Sequence, residues 1–130
     1  MMFTKEQIET AHDVVENGAD FPKYLKALKA MGVKNYEISL RDGNWVYAGE
    51  GDYTISFKRG SNTVAISDKA SPKKFLEVLK NHQVGETDYD TFCIQAGEVG
   101  VEKWRTDLEN KVITYIDVHG TVMLREPLLI

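Results

Sequence analysis

The sequence contains almost no cysteine and carries little excess charge. Cys93 is the only cysteine in 130 residues, so neither an intrachain disulfide nor a paired-cysteine zinc or redox motif can form. The 16 basic residues are scattered among 20 acidic ones, giving a formal net charge of -4. Because phosphate contacts need clustered Lys and Arg, we expect no nucleic-acid partner.

Long hydrophobic runs are also missing. No apolar stretch approaches the roughly 20 residues that a membrane-crossing helix needs, and the N-terminus becomes charged too early for a signal peptide. We therefore expect a cytoplasmic protein with no membrane association. The histidines have no metal-ligand spacing, so neither a metal nor a cofactor is expected. The histidines are His12, His82 and His119.

What is present fits one α+β domain over residues 1–130, with 42% hydrophobic residues. Thr4 and Gln7 form a capping-box pattern at the first helix start, and Asp20, Ser71-Pro72 and Asp88 mark three further starts. After Gly32 the hydrophobic period changes from about 3.6 to 2, which indicates strands. The predicted strands are Tyr36–Leu40, Trp45–Ala48, Tyr53–Phe57, Thr63–Ser67, Val101–Leu108, Val112–Val118 and Thr121–Arg125.

The order helix, helix, strands occurs twice, and a shift of 68 residues superimposes the two copies without a gap. Gly32 then falls on Gly100, and Tyr36 falls on Trp104. The pattern predicts two similar helix-helix-β-hairpin halves, about 4–67 and 71–130, whose mainly antiparallel strands form one sheet or two facing sheets packed with helices. A cleft between such halves is the first place to expect a ligand. The alternative is that two ordinary helix-to-strand transitions happen to have the same capping and helix-ending residues.

Strand aromatics are the leading candidates for a ligand site. Aromatic rings on a sheet can stack on flat ligands or sugars, and a nearby arginine can hold an anion. The candidate ligand-binding residues are Tyr36, Trp104, Tyr47, Tyr115, Arg41 and Arg105. The alternative interpretation is that these rings fill the core between the sheet and the helices.

Catalytic groups are harder to find, and none is assigned. Glu37 and Asp107 lie on strands and are the best carboxylate candidates, although cross-strand charge pairing explains them equally well. Asp117 and His119 supply half of an acid–base or metal site, without a visible second half. Cys93 lies among apolar neighbours and is interpreted as a core residue.

The segment Phe21–Tyr36, with the motifs F-P-x-x-x-x-x-L and G-V-x-x-Y and the later G-V-x-x-W ending at Trp104, resembles a known family. It is similar to the YbcV-like proteins, small uncharacterised bacterial proteins often labelled phage envelope protein. The resemblance covers most of the chain, and its motifs are structural. It implies the fold but neither a reaction nor catalytic residues, and the label implies a virion or prophage link.

Three functional hypotheses follow from these patterns. The first is a small binding or interaction module with its site in the cleft or on the sheet face between the two halves. The second is a small enzyme with a carboxylate or His–Asp site. The third is an oligomeric structural protein of prophage origin, in which the apolar end Leu128–Ile130 docks on a neighbouring copy.

Overall fold

A computed structural model of the protein describes residues 3–13, 21–58 and 64–128. Two helices and three strands follow one another, and this order then occurs a second time. The elements are α1 (Lys5–Asp13), α2 (Phe21–Ala30), β1 (Asn35–Ser39), β2 (Asn44–Ala48), β3 (Thr54–Lys58), α3 (Pro72–Gln83), α4 (Tyr89–Glu98), β4 (Val101–Asp107), β5 (Val112–Asp117) and β6 (Val122–Pro127).

The helices begin at side chains that satisfy free backbone N–H groups. At α1, the Thr4 N–H donates to Gln7 Oε1 over 2.8 Å and the Gln7 N–H donates to Thr4 Oγ1 over 3.2 Å, which confirms the capping box. Ser71 caps α3 by accepting from the Lys74 N–H. Asp88 caps α4 by accepting from the Thr91 N–H over 2.8 Å.

The strands form one six-stranded antiparallel sheet in the order β3-β2-β1-β4-β5-β6. The two halves therefore meet at the β1–β4 pair in the centre, and the α+β prediction is confirmed. Of the alternatives left open by the sequence, one continuous sheet is the arrangement found. Each half contributes three strands, one more than a hairpin.

The internal repeat is visible in the geometry of the centre. Glu37 faces Arg105 in the β1–β4 ladder, and the repeat shift of 68 residues also carries Glu37 onto Arg105. A pseudo-twofold axis therefore passes between these two residues. The same shift carries α2 onto α4, residue for residue. Gly32 and Gly100, which end the two helix–strand transitions, have matching φ angles of 100° and 102°.

All four described helices pack on the same face of the sheet. Tyr24 of α2 contacts Tyr36, with ring centroids 6.4 Å apart, and Phe75 of α3 contacts Tyr115 at 4.6 Å. His12 of α1 lies 5.7 Å from Trp45, and Phe92 of α4 lies 5.7 Å from Trp104. The hydrophobic core lies between this helical layer and the sheet, and burying each of its large side chains contributes roughly 1.5–3 kcal/mol.

One predicted strand is wrong. Val64–Ser67 lies in an irregular segment, where the Val64 N–H donates to the Leu40 carbonyl and the Ser67 N–H donates to the Gly97 carbonyl. Hydrogen bonds to Leu40, just after β1, and to Gly97 in α4 thus take backbone groups that a strand would have used. The helix cap predicted at Asp20 and the first residue of this strand, Thr63, lie outside the described residues.

Candidate functional site

The sheet has a second face on which no described helix packs, which we call the open face. Its positions alternate with the buried core positions along the strands, as the burial of β1 and β2 shows, apart from the bulges in the β4–β5 and β5–β6 pairs. The register places these positions in three rows across the six strands. The row through the pseudo-twofold axis contains Ser56, Val46, Glu37, Arg105, Thr114 and Arg125.

The two neighbouring rows surround this central row with a mixture of apolar and polar side chains. On the side toward the β4–β5 turn lie Thr54, Ala48, Asn35, Asp107, Val112 and Pro127. On the other side lie Lys58, Asn44, Ser39, Lys103, Ile116 and Val122. Val46, Val112 and Ile116 are half-buried although no described element covers them.

Charges pair diagonally at the centre of the open face. Lys103 Nζ lies 3.3 Å from Glu37 Oε1, whereas Glu37 faces Arg105 directly in the register. Arg105 is exposed. Arg41 lies beyond the end of β1 and is paired instead with Glu102, Nη2 to Oε2 at 3.4 Å. No contact brings the two predicted anion-binding arginines together.

The four aromatic candidates lie on the helix-covered face, in the core. Tyr36, Tyr47, Trp104 and Tyr115 are at most 6% exposed. Tyr47 donates to or accepts from Tyr24 through the two hydroxyls, which are 2.8 Å apart. Burial raises the pKa of Tyr36 and of Tyr115 far above the usual value. These rings cannot form an exposed platform, and the expectation that a ligand stacks on them is corrected.

Asp107 holds the turn that follows its own strand. Its Oδ1 accepts from the N–H groups of Glu109 and Asn110, and its Oδ2 accepts from Asn110 Nδ2 over 2.8 Å. Partial burial acts to raise the pKa of this carboxyl, but the bonds from Asn110 and Glu109 and the charge of Arg105 leave it below the usual value. Asp107 and Glu37 are therefore engaged in local structure.

Asp117, the last residue of β5, holds the turn between β5 and β6 in the same way. Its side chain is buried, and Oδ1 accepts from the N–H groups of His119 and Thr121, each over 2.9 Å. The link between Asp117 and His119 thus runs through the backbone of His119, whose side chain is exposed. This pattern is a turn built around a carboxylate.

The remaining nucleophile and metal candidates also have structural surroundings. Cys93 is buried on α4, and burial raises the pKa of its thiol to about 11, so little thiolate forms near neutral pH. His82 stacks on Phe92 with ring centroids 4.4 Å apart, and its Nδ1 lies 3.1 Å from the Thr87 carbonyl oxygen. Within residues 3–13, 21–58 and 64–128, no group of three or more His, Cys, Asp or Glu side chains could hold a metal ion.

Two shallow depressions lie away from the open face. One, of about 320 Å³, is at the α2–β1 turn and includes Lys29, Lys34, Glu50 and Glu109 in its lining. The other, of about 430 Å³, lies beside α1 and is lined by Glu6, Gln7, Thr10, Ala11 and Met31.

The predicted docking end, Leu128–Ile130, is described only at Leu128. This side chain is buried against the core, and its N–H donates to the Lys111 carbonyl over 2.8 Å. Leu129 and Ile130 lie outside the described residues. Leu128 is therefore already accommodated within its own chain.

Sequence reasoning missed three open-face residues that could bind a partner: Lys103, Thr114 and Arg125. The alternation Val112, Thr114, Ile116 in β5 was a usable signal, since it shows a strand whose second face also carries apolar side chains. The pairing register, which places Arg125 in the same row as Thr114, could not be read from the sequence.

Comparison with known proteins gives a family and no activity. The family model described as protein of unknown function (DUF1398) matches residues 9–127. No curated protein matches the chain. No helix among the described residues has the length and apolar character needed to span a bilayer.

Proposed function

Since the chain belongs to the DUF1398 family of proteins of unknown function, we propose from its geometry that it is a protein-interaction module. Its partner binds across the open face of the sheet, centred on the pseudo-twofold axis between Glu37 and Arg105. The observation that carries the proposal is that the described helices all pack on one face, leaving a sheet surface with half-buried apolar side chains.

The composition of the open face resembles a binding surface. Val46, Val112 and Ile116 provide apolar area, and exposed Arg105 and Arg125 stand between them. Protein interfaces combine an apolar centre with arginine more often than the rest of a protein surface does. The helical layer offers a less continuous surface, since Leu76 and Ile94 are its exposed apolar side chains in the middle of α3 and α4.

The geometry gives no comparable support to catalysis. The carboxylates that the sequence suggested are bound to turns or to Lys103, and they do not converge in a concave site. A surface with donors, acceptors and apolar side chains, but without acid and base groups that converge on one concave site, favours recognition over proton transfer.

Three narrower assignments accompany this proposal. Membership of the YbcV-like proteins is supported by the motifs ending at Tyr36 and Trp104, and the phage label would make the partner a prophage or virion protein. A cytoplasmic location is supported by the single, buried Cys93. A single domain over residues 1–130 is supported by the sheet that joins residues 4–67 to residues 71–130 through β1 and β4.

Matched bulky substitutions test the interaction surface. Thr114→Trp places a large ring on the open face, and Ile94→Trp places the same ring on α4, where Ile94 is 53% exposed. The fluorescently tagged protein, expressed in its source cells, is analysed by size-exclusion chromatography for a complex larger than the chain itself. We expect Ile94→Trp to retain the complex and Thr114→Trp to lose it, with both variants folded by circular dichroism. Loss in both variants, or in neither, would contradict the proposal.

A further inference from the structure

Resting on the proposed function, we infer that the partner presents an acidic, extended protein segment, whose carboxylates pair with Arg105 and Arg125 on either side of Thr114. The first observation is the charge of the open face. Its three rows hold the basic residues Lys58, Lys103, Arg105 and Arg125 but only the acidic residues Glu37 and Asp107. The whole chain, in contrast, has a formal charge of -4.

Both acidic side chains of the open face are already engaged. Glu37 pairs with Lys103 at 3.3 Å, and Asp107 accepts three hydrogen bonds in the β4–β5 turn. Within the part of the chain that the structure describes, neither Arg105 nor Arg125 has a carboxylate oxygen within 4.0 Å. Two guanidinium groups are thus left facing solvent on a surface of positive charge.

The register sets the spacing of these two groups. Arg105 faces Thr114, and Thr114 faces Arg125, so the two arginines are two strands apart in the same row. Neighbouring strands are about 4.8 Å apart, which separates the two backbones by about 10 Å. Acidic residues two positions apart point to the same side of an extended segment and are separated by about 7 Å, and the long arginine side chains can converge on both. The Thr114 hydroxyl adds a donor between them.

Apolar pairs lie on both sides of the arginine row, which is the part of the central row that holds Arg105, Thr114 and Arg125. Val112 faces Pro127 in one neighbouring row, and Ile116 faces Val122 in the other. Val122 is 41% exposed. In an extended segment with glutamate at every second position, all the glutamates face the sheet, and each brings aliphatic methylene groups as well as a carboxylate, so the segment matches this end of the open face in both charge and hydrophobicity. Arginine pairs carboxylates through two parallel hydrogen bonds, which fixes the orientation of the bound segment.

The area and charge of the surface favour a segment over a second copy of the chain. Six strands of about five residues span about 24 Å by 17 Å, on the order of 400 Å², about half of what each partner contributes to a standard interface. A second copy would also bring one basic row against another. Nucleic acid would gain nothing from base stacking, because Tyr36, Tyr47, Trp104 and Tyr115 lie on the buried face.

The test uses a defined probe and matched arginine variants. A fluorescein-labelled 12-residue peptide of alternating Glu and Val is titrated with the full chain and followed by anisotropy, beside a Lys–Val peptide and a single-stranded DNA of equal length. We expect the Glu–Val peptide alone to bind. The double variant Arg105→Gln/Arg125→Gln should weaken binding tenfold or more, since a charge-assisted hydrogen bond is worth about 1.5–3 kcal/mol. Arg41→Gln, which removes an exposed arginine paired with Glu102, should leave binding unchanged.

Each other result overturns the inference. These results are no binding of the Glu–Val peptide, equal binding of the Lys–Val peptide, preference for the DNA, equal loss in Arg41→Gln, or no loss in the double variant. A concentration-dependent dimer that Thr114→Trp abolishes would identify a second copy as the occupant. If the tryptophan variants still assign the native complex to the open face, the interaction proposal stands while the acidic-segment inference fails. If they assign it elsewhere, the interaction proposal itself fails.

Discussion

Glu37 and Arg105 face each other across the central strand pair, and they are also the two residues that the internal repeat superimposes. Opposite charges therefore occupy equivalent positions on the pseudo-twofold axis. The two halves have similar backbone folds but differ in charge where they meet. Both arginines of the central row, Arg105 and Arg125, lie in the second half. At the equivalent positions of the first half stand Glu37 and the core residue Phe57.

Replacing Lys111 with glycine should make the folded protein more stable. Lys111 has a φ of 58°, and its repeat equivalent is Gly43, with a φ of 70°. A non-glycine residue in this region costs roughly 1–2 kcal/mol, and the flexibility of glycine in the unfolded chain returns part of that difference. We expect Lys111→Gly to raise the free energy of unfolding by about 0.5–1 kcal/mol in urea titrations. Lys111→Ala, which removes the same charge, should not raise it; an equal gain would show that charge and not φ is responsible.

Replacing Thr106 with valine should make the folded protein more stable. Thr106 is the repeat equivalent of Ile38, and its buried Oγ1 lies near the Tyr36 hydroxyl, close enough to affect it, but not in hydrogen-bond geometry with any described residue. Because an unpaired buried hydroxyl is unfavourable, we expect Thr106→Val to increase the free energy of unfolding by about 1 kcal/mol. Thr114→Val, on the open face, is the control and should change it by less than about 0.5 kcal/mol. A clear loss in Thr106→Val would mean that the hydroxyl bonds to Tyr36.

Asp117 should matter for stability and His119 should not. Asp117 is buried and accepts two backbone N–H groups, whereas the His119 side chain is exposed. Hydrogen bonds to a charged group contribute about 1.5–3 kcal/mol, so Asp117→Ala should lower the free energy of unfolding by about 2–3 kcal/mol. His119→Ala should change it by less than about 0.5 kcal/mol. Small effects in both variants would reopen the acid–base interpretation of this pair.

The buried tyrosines predict a loss of stability at alkaline pH. Burial raises the pKa of Tyr36 in the folded state, whereas an unfolded tyrosine ionises near pH 10. The stabilisation is therefore fully present below about pH 10 and is lost above it, by about 1.4 kcal/mol per pH unit for each such tyrosine. In urea unfolding between pH 9 and about pH 11, a range centred on the pKa of an unfolded tyrosine, Tyr36→Phe should lose about 1.4 kcal/mol less of its free energy of unfolding than the wild type, an average of about 0.7 kcal/mol per pH unit.

The control for this experiment is Thr114→Val on the open face, since a threonine hydroxyl does not ionise in this pH range. We expect it to keep the wild-type slope. An unchanged slope in Tyr36→Phe would mean that the Tyr36 hydroxyl ionises in the folded state, contrary to its burial.

Much of the fold could be predicted because local signals decide it. The caps at Thr4, Ser71 and Asp88 and the change of period after Gly32 depend on neighbouring residues alone. The repeat could be predicted because it aligns without a gap. Val64–Ser67, the described part of one predicted strand, is irregular because two residues distant in sequence, Leu40 and Gly97, take its backbone hydrogen bonds.

The candidate site was harder to predict because it depends on which face the helices cover. Alternation separates the two faces of a strand without saying which one is buried. Tyr36 shares its face with Ile38, however, and this was sufficient reason to place both in the core. The arginine row could not be predicted, since the pairing of Thr114 with Arg125 also depends on the bulge between Tyr115 and Ile116.

Site-specific photo-crosslinking tests the role of the open face most directly. Benzoylphenylalanine replaces Thr114 on the open face or Ile94 on α4, and the protein is irradiated in its source cells. The account predicts a discrete protein adduct from position 114, absent from position 94 and reproduced with the purified partner. An adduct from position 94 alone, equal adducts from both positions, or none from position 114 would contradict it.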